Sequence, residues 1–303
     1  MAYSYLTVDV FTDTRFEGAQ IALVPEAQGL TDEQMQKIAT EFNLWRTVFV
    51  LPADSANTER RLRIFNAKKE FQFGGHATVA AIYALAKKGQ LALQDGKNHF
   101  KLSEHYGDVD CMVDMQNGEP SFNQFTTHVK PEYDKFTPSE DELGEMLSLK
   151  SYHFNVGGFQ PLLVSTHLPY LFVPVDNFAS LSAASFNYKA WAESTAPATL
   201  ANAIFLFSMS NSNSGPHFHC RLVGPNFGHH EDPPIGAAIP AFAGYLQQFF
   251  AGQSLPYQFV AERGAFVGRK SVLNVELAEA NADELTVKIG GEAVLVSEGQ
   301  IYI

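Results

Sequence analysis

The pattern of apolar and polar positions divides the chain into short alternating runs and a few helical ones. Residues 73–89, FGGHATVAAIYALAKKG, open on a Gly pair and close on Lys87, Lys88 and Gly89. Basic residues in a last turn with Gly just beyond predict a helix end. Val79, Ala80, Ile82, Tyr83, Leu85 and Ala86 leave no polar face, so this helix is expected to be buried and wrapped by strands. A second stretch of the same kind, EDPPIGAAIPAFAGYLQQFF at 231–250, places Gly236 161 residues after Gly75. The flanking runs RLRIF (61–65) and CRLVG (220–224) agree, which predicts an internal duplication of about half the chain.

The remaining elements follow from period. Residues 3–12 alternate as a strand, DTRFEG turns, and AQIALV (19–24) is a second strand. Thr31 with Gln34 predicts a capping box, and Leu30 with Met35 a hydrophobic staple. Met35, Ile38, Ala39 and Phe42 mark the buried face of that helix. Residues 47–51 and 61–66 read as neighbouring strands, and 98–103 with 108–115 as a hairpin around Tyr106 and Gly107. The polar stretch 116–142 is the expected join between two lobes, with Ser139 and Glu142 capping a short helix. Beyond it, 155–166, 169–175, 203–209 and 216–223 read as strands and 177–192 as helix. The tail, from GAFVG to QIYI, reads as strands throughout. The expected division is 1–126 as the N-terminal lobe, 127–285 as the C-terminal lobe, and 286–303 as strands returning to the first lobe.

Composition narrows the class. Hydrophobic content of 46% and charged content of 18% are those of a soluble globular protein. A net charge of −12 argues against nucleic acid and anionic membrane as partners. No apolar run reaches the roughly 18 residues of a membrane span, and MAYSYLTVDVF lacks a basic n-region and reads as a strand, so no signal peptide is expected. Cys111 and Cys220 form no paired motif, so a reducing cytoplasm is the expected setting. No GxxxxGKS or GxGxxG occurs, so nucleotide binding has no support. His217, His219, Cys220, His229, His230 and Glu231 match no zinc spacing, and ordinary strand and loop histidines are the better expectation than a metal site. If both helix starts face one cleft, their free N–H groups make a site for a small carboxylate.

With VDVFTDTRFEG, the helix 31–42, NLWRTVFV, FGGHAT, EDPPIGAA and the tail from GRKSVLNVEL, the chain resembles the phenazine-biosynthesis PhzF-like family. The resemblance implies an α+β fold of two pseudo-symmetric lobes. Each is a mostly antiparallel sheet or barrel around a central helix, as in diaminopimelate epimerase. It also implies cofactor-independent proton transfer on a small carboxylate between the lobes of a homodimer. The family's Asn-Leu-Ser-Glu-Thr motif, whose Glu moves the proton, reads Asn43, Leu44, Trp45, Arg46 and Thr47 here. A guanidinium keeps its proton at any working pH and cannot shuttle one. In the second lobe the Thr and Ser that bind substrate become Ile235 and Ala237, beside retained Asp232 and Gly236. The early Phe-x-Gly-Asn-Pro becomes Phe16, Gly18, Ala19 and Gln20.

His76 and Asp232 are therefore the candidate acid/base groups, or alternatively helix caps that hydrogen-bond each other. Arg46 is either a clamp for an incoming carboxylate or phosphate, or the partner of Asp232 or Glu231 in a closed site. Trp45, Gly75, Gly236 and Ala237 are the expected substrate-binding positions. Three functions stand: an isomerase with diverged chemistry, a non-catalytic binder of small anions, and a closed scaffold kept for its dimer surface.

Overall fold

Strands whose residues are buried on both faces read as continuous apolar runs, and this explains how the helices are laid out. The computed structural model describes residues 2–154, 156–210, 217–227, 234–249, 257–281 and 284–303. The fold is mixed α+β, mostly sheet, and divides into two compact units, Met1–Thr127 with Lys288–Ile303, and His128–Val287.

In the first unit the strands are β1 (Ala2–Val10), β2 (Ala19–Val24), β3 (Arg46–Pro52), β4 (Arg60–Phe65), β5 (Glu70–Phe71), β6 (Gly96–Glu104) and β7 (Gly107–Gln116). The chain leaves this unit within β8 (Glu119–Val129). Helix α1 (Asp32–Phe42) covers one face of the sheet, with Leu30, Met35, Ile38 and Ala39 packed on Val24, Phe49 and Phe65. Its capping box forms as expected: Gln34 N–H donates to Thr31 Oγ1 and Thr31 N–H to Gln34 Oε1. Helix α2 (Gly75–Lys87) is buried from Gly75 to Ala86 and touches β1, β2, β3, β4, β7 and the last strand.

The second unit holds β9 (Glu132–Asp134), α3 (Glu140–Leu147), β10 (Leu162–Ser165), β11 (Pro169–Pro174), α4 (Phe178–Ala183) and α5 (Tyr188–Glu193). It continues with β12 (Ala203–Met209), β13 (Phe218–Val223), α6 (Ile239–Phe249), β14 (Tyr257–Arg263) and β15 (Ser271–Asn281). The chain returns to the first unit within β16 (Glu284–Gly291) and ends in β17 (Ala293–Tyr302). Alternate residues of β11 and β12 serve opposite layers. Phe172, Phe205 and Phe207 meet Phe242 and Tyr245 of α6, with Phe205 and Phe242 stacked at 4.8 Å between ring centroids. Leu171, Val173, Ile204 and Leu206 join Leu143, Met146 and Leu181 under α3 and α4.

Several expectations need correction. The stretch read as a join contains β8, paired with β7 from Asp110↔Thr126 to Gln116↔Glu119. Its buried face reads Asn123, Phe125, Thr127 and Val129, and the polar members hide the strand period. The 177–192 helix breaks into α4 and α5 because Asn187 caps a new start, accepting from the N–H groups of Lys189 and Ala190. Within 155–166 only Leu162–Ser165 is strand. GAFVG is a single tight turn between Gly264 (φ +82°) and Gly268 (φ +65°). At Gly264 a Cβ would lie 2.0 Å from Arg269 O, so only glycine fits. The second central helix starts at Ile239 rather than at Gly236. Pro240 has no N–H and is tolerated only in a first turn, which pins the start there.

Candidate active site at the start of the first central helix

The registers bring one set of strand ends together. Val10 pairs with Ala19, Ile21 lies beside Arg46, Thr47 pairs with Phe65, and Phe65 with Glu70. The ends of β1 and β4 and the starts of β2 and β3 therefore share an edge with β5, and α2 begins four residues after Phe71. Arg46 and His76 come to the same end of the first unit, as does the loop 11–18.

Arg46 opens β3 with its guanidinium 3.9 Å from the centroid of the Phe71 ring, and its Nη1 donates to Trp45 O at 2.6 Å. Stacking on an aromatic face restricts the plane of the fork. Lys69 Nζ lies 5.1 Å from the same ring, adding a second cation. Glu70, between them in sequence, is engaged by Arg63, whose Nε and Nη2 donate to its two oxygens at 2.7 and 2.6 Å. Trp45 is 38% exposed.

Gly75 starts α2 against β8: a Cβ there would lie 2.6 Å from Phe125 Cζ. This requirement for glycine comes from the very stretch that the sequence pattern left as a join. His76 follows, 2% exposed. The cap of α2 is not a local side chain. Glu104, the last residue of β6, reaches the helix start, with Oε1 2.6 Å from Thr78 Oγ1 and Oε2 accepting from Gly74 N–H at 3.3 Å. Burial pushes its carboxyl up to about 7 against the pull of Thr78 and Gly74. Sequence reasoning missed Glu104, Phe71 and Lys69. The predicted strand stopped at residue 103, and an acid at a hairpin rim gives no periodic signal.

Phe16 adds an exposed aromatic beside this edge, 67% exposed and held at φ +72° with its N–H donating to Asp9 Oδ2 at 2.7 Å. A bulky residue in the left-handed region carries strain that loops at binding sites commonly hold. A groove of about 830 Å³ in this unit, lined by Glu26, Glu59, Arg60, Lys88 and Gln90 among others, lies at the opposite, C-terminal end of α2. Its cations are already engaged, Arg60 by Gln90 O and Lys88 by Glu298.

In the second unit Gly236 is buried and Ala237 half-buried, in a turn ahead of α6, with Ile235 O accepting from Ala238 N–H at 2.8 Å. Asp232, Glu231, His229 and His230 lie outside the described residues. Among the described residues no cluster of three or more His, Cys, Asp or Glu has metal-binding geometry. Cys111 and Cys220 are buried, and burial pushes the Cys111 thiol up, so it packs as a protonated core group. Ser180, His153 and Asp176 resemble a hydrolytic triad, but Ser180 Oγ (2.9 Å) and Asp176 Oδ1 (3.2 Å) both meet Nδ1. A relay needs them on opposite ring nitrogens. No helix is long and apolar enough to cross a membrane among the described residues.

A model of the phenazine biosynthesis-like protein family (PhzC-PhzF) matches residues 8–299. The chain belongs to this family. It is 34% identical to an uncharacterized isomerase of Mesorhizobium japonicum over 99% of both chains. It is 25% identical to trans-2,3-dihydro-3-hydroxyanthranilate isomerase of Pseudomonas aeruginosa, over 99% of this chain and 100% of that one. The solved PhzF-family protein of Bacillus anthracis shares the fold, with a TM-score of 0.85 at 21% identity and full coverage of both chains.

Proposed function

We propose that this PhzF-family chain is an isomerase of small carboxylates whose first-lobe chemistry has moved from the family's Glu to His76. Arg46, at that Glu's position, holds the substrate carboxylate. The observation that carries this reading is the stacking of Arg46 on Phe71 at 3.9 Å, beside the start of α2. A guanidinium binds a carboxylate by charge-assisted hydrogen bonds, and the first N–H groups of a helix lack intrahelical acceptors. Imidazole changes charge nearest neutral pH, so His76 is the group here suited to take a proton from carbon. Asp232 is the proposed second acid/base group. The relative that acts on trans-2,3-dihydro-3-hydroxyanthranilate suggests a ring carboxylate of that class as substrate.

The same arrangement favours a second reading, a non-catalytic anion binder, because Arg46 cannot move protons. One experiment separates them. The protein is incubated in D2O with trans-2,3-dihydro-3-hydroxyanthranilate and a panel of small carboxylates, and NMR follows both ligand and protein. Deuterium appearing at a ligand carbon supports the isomerase. Saturable protein shifts without exchange support the binder, and neither signal sinks both. The family resemblance also supports a cytoplasmic homodimer, which light scattering on the purified chain tests for assembly.

A further inference from the structure

The contacts of Glu104 determine where one proton sits. Thr78 Oγ1 lies 2.6 Å from Glu104 Oε1 and 3.1 Å from Gly74 O. A hydroxyl carries a single hydrogen, so it cannot donate to both. If Glu104 is neutral, its O–H donates to Thr78 Oγ1 and the Thr78 hydroxyl donates to Gly74 O. Oε2 then accepts from Gly74 N–H, and every contact is satisfied. If Glu104 is ionised, the Thr78 hydrogen must turn to it and away from Gly74 O. Among the described residues no cation pairs with this carboxyl, which is 6% exposed. A buried charge without a counter-ion is the costly state.

We propose that Glu104 is the positioning residue of the Gly74–His76 turn, neutral when an anion occupies the start of α2 and ionised only at the expense of that anion. This rests on the carboxylate reading above. Two negative charges at one helix start repel each other, and they compete for the same positive end of the dipole. Anion binding there therefore takes up a proton, and affinity falls as pH rises through the Glu104 titration. The titratable groups around it are few. Cys111 on β7 has its thiol pushed up by burial and by the Glu104 charge. His76 lies on α2, two residues past the Gly74 amide. Ser103, on the same strand, donates to Asp54, which Arg61 pairs at 3.7 Å.

The test is a carbon-detected NMR titration of the glutamate carboxyls in the full chain, with Glu104 assigned by the resonance lost in Glu104→Gln. The expected midpoint is near 7. The amide shifts of Gly74, Gly75 and His76 should follow it in the wild type and lose that step in the variant. Thr78→Val, which removes a donor to the ionised form, should move the midpoint upwards, and it serves if Glu104→Gln does not fold. A Glu104 carboxyl titrating in the ordinary range, or a turn indifferent to its midpoint, overturns the proposal. Saturating 2-aminobenzoate is the second arm. A midpoint displaced to higher pH supports the competition, and binding without displacement overturns it. If 2-aminobenzoate leaves these amides unmoved, the carboxylate site itself fails, while the titration still decides the Glu104 assignment.

Discussion

A carboxyl as buried as Glu104 leaves a mark on stability. Its folded pKa of about 7 stands above its ordinary value of 4.5. Between those two values the unfolded chain ionises while the folded one stays neutral. The native state then binds more protons, so stability is full below the lower value and declines as pH rises through the upper one. The shift corresponds to about 3 kcal/mol. Denaturant unfolding at pH 4 and pH 8 should show the wild type losing roughly that much more than Glu104→Gln; equal losses would remove the buried ionisation. Arg46 is tested by reversal of its chemistry. Arg46→Glu restores a proton-accepting group at the start of β3 and should raise the rate of deuterium exchange at a ligand carbon above that of the wild type, while losing affinity for carboxylates by roughly tenfold or more. Unchanged affinity would show that the guanidinium does not meet the ligand.

At the level of elements, α2 starts at a position that tolerates little. Gly75→Ala would drive a methyl into Phe125, 2.6 Å away, and a fixed backbone there leaves the ring to move. A loss of about 1–3 kcal/mol in chemical denaturation is expected, with the His76 amide displaced in NMR spectra. By contrast Thr31→Ala removes one side-chain acceptor from the exposed start of α1 and should cost about 1 kcal/mol. The contrast explains what could be read from the chain beforehand. Caps such as Thr31–Gln34 and Ser139–Glu142 are local, so residues three apart suffice to find them, and both form. The wrapped helix α2 was legible because it has no polar face. The strand β8 was not, because Asn123 and Thr127 occupy buried positions whose worth depends on distant partners, such as Gly291 O beside Asn123 Nδ2 at 3.5 Å. At the site, Arg46 and His76 were visible as departures from or matches to a motif. Phe71 and Glu104 contribute through pairing between β4 and β5 and through the end of β6, which no run of residues announces.

At the level of the molecule, the first unit is not continuous in sequence. Its strand β1 lies between β2 and β17, with Ala2 opposite Tyr302 and Val10 opposite Ala293, and a register shift at Thr7 and Val8. Deleting residues 293–303 should expose one whole edge of β1. Hydrogen exchange is expected to rise across the first unit while the second, residues 128–287, keeps its protected core. Uniform loss in both would show that they unfold as one. The same pairing sets a timetable for synthesis on the ribosome. At about 5–20 residues per second, β1 emerges roughly 15–60 s before its last partner exists. The internal unit is complete at Val287, before β17 is made, whereas the first unit must wait with an open strand edge, the feature most prone to mispairing. Until β17 is made, the open edge of β1 is the part of the growing chain that most needs shielding.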